Sequence, residues 1–217
     1  MTTDPHETGT ITVSGSDLPR TERFKYLGST LSANGELRYE IASRINATWM
    51  KWRSTTGVLC DRRINERLKS KIYRNVVRPV ALYGSECWPT IKDNERRLAV
   101  METKMLRWTS GVTRLDHIRN EDIRDRYGVA PIVEKLRERR LRWYGHAIRA
   151  NENSLAKIGL NIEVDGKRPK GRPKQRWLDT LDGDLKASRL HPDQAFDRAK
   201  WRSRSRRADP ACERDKG

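Results

Sequence analysis

The side chains here with the widest chemical repertoire are four histidines, three cysteines and a few neighbouring carboxylates. His6, His117, His146 and His191 are too far apart to form a His-x3–5-His pair, and none lies beside a Cys-x-x-Cys, so the spacing of a zinc site is absent. Asp182 and Asp184 are close in "LDGDL", but two positions apart on a helix they do not face each other. "NEDIRD" (120–125) reads more simply as a capped, acidic first turn of a helix. There is no Gly-x-x-x-x-Gly-Lys phosphate loop and no nucleophile elbow. Cys60, Cys87 and Cys212 are scattered and odd in number, which fits a reducing compartment rather than a disulfide framework.

The remaining chemistry is cationic. "KRPKGRPKQR" (167–176) holds six cations in ten residues, with Pro169 and Pro173 stiffening the chain and Gly171 letting its backbone lie close to a surface. Guanidinium and ammonium groups on an extended strand suit phosphates or a narrow, electronegative minor groove. Lys170-Gly171-Arg172-Pro173 is similar to the core of an AT-hook, with a lysine where the first arginine is usual. The plainer alternative is a solvated basic linker. "RRLRWYGHAIR" (139–149) interleaves four arginines with Trp143, Tyr144 and His146. On a helix, Leu141, Tyr144 and Ile148 can pack while the arginine stems cover apolar surface and their heads meet water or phosphate.

These groups need elements to hold them. The chain has 217 residues and a formal net charge of +17 from 46 Lys+Arg and 29 Asp+Glu. Its sequence pI is near 10.2 and its mean hydropathy is −0.90, a balance that favours polyanionic partners. Hydrophobic residues make up 35%, a thin supply for a core, but seven tryptophans argue against a fully disordered chain. No run approaches the ~18 apolar residues of a membrane span. No signal peptide is visible, so an intracellular protein, cytoplasmic or nuclear and without membrane contact, is expected.

Alternation in "TITVSGSDL" (10–18) predicts one weak strand, and "RFKYLGSTLSANGEL" (23–37) a hairpin in which Asn34-Gly35 suits the tight turn. From Glu36 the period becomes helical. Leu37, Ile41, Ile45, Thr48, Trp49 and Trp52 share one face, with Gly57 ending the run. Ile64, Leu68, Ile72, Val76 and Val77 predict a second helix that Pro79 limits. Asp93, as N-cap, starts a third through Leu98, Met101, Met105 and Trp108 to Gly111. A short helix runs from Asn120 to Gly128, and another from Pro131 through Ile148. Residues 150–176 read as a linker or basic arm. Helices then follow at 177–185 and from Pro192, and the charged tail after Trp201 is expected to fray.

Five segments in order carry a resemblance: "FKYLGSTLSANGEL", "RPVALYGSECW", "RRLRWYGHAIR", "KGRPKQRWLDTLDGDL" and "AFDRAKWR". Together they resemble the C-terminal third of reverse transcriptases from non-LTR retrotransposons, above all the RTE-like clade. The resemblance implies that Phe24, Lys25, Tyr26, Leu27 and Gly28 form a primer-grip hairpin, which holds the primer end and packs onto a palm domain. It implies that the helices after Glu36 are a thumb, tracking the template–primer duplex, and that residues 139–149 and 167–177 lie beyond it. The intact family enzyme holds Mg2+ with palm carboxylates, including a Tyr-x-Asp-Asp turn. None of the six tyrosines here is followed by that pattern. The chain also begins just ahead of the primer-grip-like stretch. It is therefore read as a remnant or mis-bounded piece of a retroelement polyprotein, without a cofactor and inactive as a polymerase by itself.

The expected fold is mainly α, a thumb-like helical bundle with a short N-terminal β-hairpin and a basic linker leading to C-terminal helices. The divisions are a polar segment at 1–20, the hairpin at 21–35, the thumb-like region at 36–150, and the linker and last helices at 151–217. The hairpin, without a palm, is expected to be mobile. The expected partner is RNA, DNA or their hybrid, with an intact reverse transcriptase in trans as a further one. Arg168, Lys170, Arg172, Lys174 and Arg176 are the first contacts, and Arg139, Arg140, Arg142 and Arg149 the second. Trp177 is the candidate for base stacking. Two alternatives stand beside this reading: an independent AT-hook-like DNA-binding module, and a translated relic whose charge is inherited but unused.

Overall fold

The computed structural model describes residues 9–162, 171 and 174–211. Residues 10–18, expected as one strand, form two: β1 (Thr12–Val13) and β2 (Ser16–Asp17) pair antiparallel, because Ser14-Gly15 turns with both φ angles positive. The next hairpin joins β3 (Arg23–Tyr26) to β4 (Ser29–Ser32). Its two-residue turn is Leu27-Gly28, with φ of 46° and 85°, and not the expected Asn34-Gly35. A positive φ at both central residues is the turn whose twist matches paired strands. Asn34 and Gly35 instead bend the chain into the first helix, where the Asn34 side chain accepts from the Glu36 N–H at 3.0 Å.

The bundle begins with α1 (Arg38–Ser54), followed by α2 (Thr56–Leu59), which takes in Gly57 rather than stopping there. The next helical run is α3 (Glu66–Ile72), a π-helical stretch (Tyr73–Val77) and α4 (Arg78–Ala81). Pro79 does not end it. The proline sits in the first turn of α4, where its missing N–H costs no helical bond, just after the wider π turn. The buried face also differs from the apolar pattern. Ser70, Tyr73, Arg74, Val77, Arg78 and Ala81 are buried, while Leu68 is exposed. Charge pairing inside the bundle sets this face, as described below.

Helix α5 (Lys92–Ser110) carries Leu98, Met101, Met105 and Leu106 into the core and ends at Gly111; Asp93 lies within its first turn rather than capping it. Helix α6 (Asn120–Tyr127) stops at Gly128, and α7 (Ile132–Arg149) follows Pro131. The expected linker contains α8 (Leu155–Leu160). Helices α9 (Trp177–Ser188) and α10 (Arg198–Ser205), with a 3-10 turn at Pro192–Phe196 between them, complete the chain. The fold is thus mainly helical, as the pattern implied.

Two apolar clusters form the interior. The larger joins α1 to the first half of α7, from Ile41 and Trp52 through Val77, Leu98 and Met105 to Ile132 and Leu136. The smaller packs Leu141 of α7 against Leu181, Leu185, Leu190, Ala195 and Trp201. Helix α7 therefore runs through both. Gly145 makes the second contact possible: Trp201 lies flat on it and donates from Nε1 to the Leu141 carbonyl at 3.0 Å. A Cβ at position 145 would sit 2.8 Å from Cδ1 and Cε2 of that indole.

Buried polar pairs complete the packing. Arg78 and Asp209 bridge at 2.7 and 2.5 Å across 131 residues, and Asp209 also accepts from the Ala130 N–H at 2.8 Å. Ala211 donates its N–H to Gly128 O at 2.9 Å. The segment after Trp201, expected to fray, is anchored by these contacts as far as Ala211. Glu102 is wholly buried and accepts from the Tyr73 hydroxyl at 2.8 Å and the Ile132 N–H at 3.0 Å, with Arg124 at 3.4 Å. Burial pushes the Glu102 carboxyl up despite those donors.

Two outcomes follow. Gly145→Ala forces the Trp201 ring away and lowers stability by about 1–3 kcal/mol in chemical denaturation. Burial raises the Asp209 carboxyl, but the Arg78 hydrogen bonds and charge outweigh it and leave it below the ordinary carboxylate range. Its contribution is therefore full above about pH 4 and is lost as pH falls through the depressed folded value. Asp209→Asn should destabilise the chain strongly at neutral pH, with a gap from the wild type that closes as denaturation is followed down through acid.

Candidate nucleic-acid interface

The β3–β4 hairpin is docked rather than loose. Tyr83 donates its hydroxyl to Leu27 O at 2.7 Å, Arg44 of α1 donates to Gly28 O, and Glu40 accepts from the Thr30 N–H at 2.5 Å. Arg44 also pairs with Glu40 at 3.0 Å and lies over the Tyr83 ring. The expected mobility is therefore replaced by a fixed turn on α1, held through the Leu27 and Gly28 backbone carbonyls. Phe24 pairs across the strands with Leu31, and its ring stacks beside Tyr26 at 6.4 Å. All three side chains are about half exposed, and Leu27 is more so. Lys25, paired with Thr30, is exposed as well.

The arginines of α7 separate into different environments. Arg140 is 1% exposed. It donates to both oxygens of Asp184 at 2.6 and 3.1 Å and to the Thr90 hydroxyl at 2.6 Å. This corrects its place among the contact residues, because no part of its guanidinium reaches the surface. Arg139 is half-buried and donates to Leu82 O at 2.6 Å, and burial lowers its pKa from the ordinary arginine value. Arg149 donates to Ala195 O at 2.5 Å, tying α7 to the 3-10 turn before α10, and burial lowers it too. Arg142 projects into solvent, its nearest acid Glu138 at 3.8 Å.

Of the basic arm, Arg168, Lys170 and Arg172 lie outside the described residues. Lys174 is exposed and donates to Asn34 O at 2.8 Å, bringing the end of the arm beside the foot of the hairpin, 140 residues away. Arg176 is exposed, and its N–H donates to Asp179 at 2.9 Å where α9 begins. Trp177 is committed inward: Nε1 donates to Glu86 O at 2.7 Å and the ring lies beside Tyr144. Its indole edge and part of its faces serve the smaller core, so stacking on a base is not the role its contacts favour.

Pattern reading missed one cationic surface. Helices α1 and α5 pack side by side, and Trp49, Arg96, Arg97, Val100 and Lys104 line a groove along the join. Trp108, assigned by period to the core, is 66% exposed at the end of that groove's helix. The cue lay in the spacing Arg97, Lys104 and Trp108 on α5, but only the pairing with α1 brings Trp49 alongside.

Among the described residues, no group of three or more His, Cys, Asp and Glu is placed to hold a metal ion. Among the same residues, no helix is long and apolar enough to cross a membrane.

Known proteins with similar sequences belong to mobile elements. The chain is 27% identical over 180 residues to a transposon-derived protein of Caenorhabditis elegans, covering 79% of this chain and 63% of that one. It is 28% identical over 197 residues to an RNA-directed DNA polymerase from the mobile element jockey of Drosophila funebris, covering 87% of this chain and 19% of the polymerase. The chain thus spans under two-thirds of the one and about a fifth of the other. No family model and no solved structure matches it. These similarities support a retrotransposon origin.

The burial of Arg140 has a measurable consequence. Arg140→Ala removes two of the hydrogen bonds to buried Asp184, leaving it only the Arg137 Nε at 3.3 Å, and should cost about 3 kcal/mol of stability. Arg142→Ala, at a solvated site, should leave the denaturation midpoint unchanged.

Proposed function

We propose that this chain is a thumb and post-thumb region of a non-LTR reverse transcriptase, of the RTE-like type, and that it binds RNA, DNA or their hybrid through phosphate contacts. The observation that carries the reading is the similarity to the jockey polymerase over 197 residues. The β3–β4 hairpin leading directly into a helical bundle supports it, since the primer-grip-like segment and the thumb-like helices stand in the implied order. The excess of 46 cations over 29 acids supplies the electrostatic attraction. The contacts we assign are the exposed Arg142, Lys174 and Arg176, together with Arg168, Lys170 and Arg172 of the basic arm, which lie outside the described residues. The primer-grip role belongs to Phe24, Lys25, Tyr26, Leu27 and Gly28, and an intact polymerase in trans is a partner of the same reading. Contacts of this kind hold the backbone and carry little sequence preference.

Fluorescence anisotropy with single-stranded RNA, an RNA–DNA hybrid and an A·T-rich DNA duplex, each across a salt series, tests this. Binding should weaken steeply with salt, and hybrid should be preferred. Replacing Arg142, Lys174 and Arg176 together by Ala should reduce the salt slope by about 1 for each phosphate contact removed, alike for every probe. Preference for the A·T-rich duplex alone would favour the AT-hook-like module. Absence of binding at low salt would mean a relic whose charge is not organised into a surface.

A further inference from the structure

The groove between α1 and α5 combines two features that the reading above does not use. Its lining contributes Arg96, Arg97 and Lys104 and no acidic residue. Arg96 is 3.4 Å from Asp93 at the rim, whereas Arg97 and Lys104 have no ion-pair partner among the described residues. The second feature is a ladder of three indoles. Trp52 is buried, and the rings of Trp49 and Trp108 meet it edge-on at 5.5 and 5.8 Å. Trp52 thus fixes both neighbours while leaving Trp49 partly buried along the groove and Trp108 open to solvent. From Arg97 to Trp108 the helix rises about 16 Å, room for a short stretch of strand.

Cations without acids attract phosphate. Flat indoles held rigid beside them offer faces to unpaired bases, which a duplex keeps stacked inside itself. We propose that this groove binds single-stranded nucleic acid, with bases stacking on Trp108 and Trp49 and phosphates meeting Arg97 and Lys104. None of these residues belongs to the basic arm or to α7, so the inference rests on its own surface.

The full chain, titrated against short fluorescein-labelled oligo(dT) and oligo(U) and against a blunt RNA–DNA hybrid, tests it. Trp108→Ala should weaken single-strand binding about tenfold and leave hybrid binding nearly unchanged. Trp108→Tyr should restore most of the loss, because a ring face returns. Lys104→Glu, at an exposed position, should weaken single strands likewise and decides the matter even where loss of Trp108 disturbs folding. Single-strand affinity untouched by Trp108→Ala and Lys104→Glu would overturn the proposal. So would displacement by poly-Glu as effective as by unlabelled oligo(dT), which would mark a site for any acidic polymer. Uniform loss on all probes in the Arg142, Lys174 and Arg176 variant, with groove variants silent, would leave the phosphate-binding reading standing and remove this one.

Discussion

The ion pair of Arg140 with Asp184 sits where the two halves of the interior meet. Leu136, one turn before it on α7, belongs to the larger apolar cluster, and Leu141, one residue after it, belongs to the smaller. The guanidinium reaches Asp184 of α9 on one side and the Thr90 hydroxyl ahead of α5 on the other. A buried charge is costly unless paired and hydrogen-bonded, so α7 has one rotation at which both clusters close and the charge is satisfied. That rotation aims Gly145 at Trp201, lets Arg149 reach Ala195 O, and turns Arg142 outward. The surface that α7 offers to a partner is therefore a by-product of an internal charge constraint.

The same device recurs because apolar residues are scarce. With 35% hydrophobic content, several helix positions facing the interior are charged, and some of them are matched by a partner distant in sequence. Arg78 reaches Asp209, and Glu102 gathers Tyr73, Arg124 and the N–H of Ile132. Such pairs add less net stability than apolar packing of the same volume, but a wrong pairing leaves a naked charge, so they select among arrangements.

Much of the architecture was legible because helical period and terminators are local. Gly111 and Gly128 ended the helices they were expected to end, and Pro131 preceded α7. Several misreadings share a cause: the deciding partner lay far along the chain. The buried face of α3 and α4 follows from Ser70 bonding to Tyr127 O and Arg78 to Asp209, not from Leu68 and Val76. The tail seemed free because its charge is high, yet Asp209 is the residue that holds it. At the candidate interface, residue type marked the cations correctly as cations, but exposure is a tertiary property. Nothing in "RRLRWYGHAIR" distinguishes Arg140 from Arg142 until α9 supplies Asp184.

This bears on how net charge should be read. The +17 is a sum over groups in very different surroundings. Arg78 and Arg140 are spent on internal acids, and Arg44, Arg139 and Arg149 are partly spent on backbone carbonyls. A paired guanidinium contributes little to the field outside, whereas an exposed one beside no acid contributes nearly its full charge. Surface cations without an acid partner among the described residues include Lys174, which touches the hairpin foot, Arg97 and Lys104 of α5, which face a groove without acids, and Arg198, Arg202 and Arg206 on and just after α10.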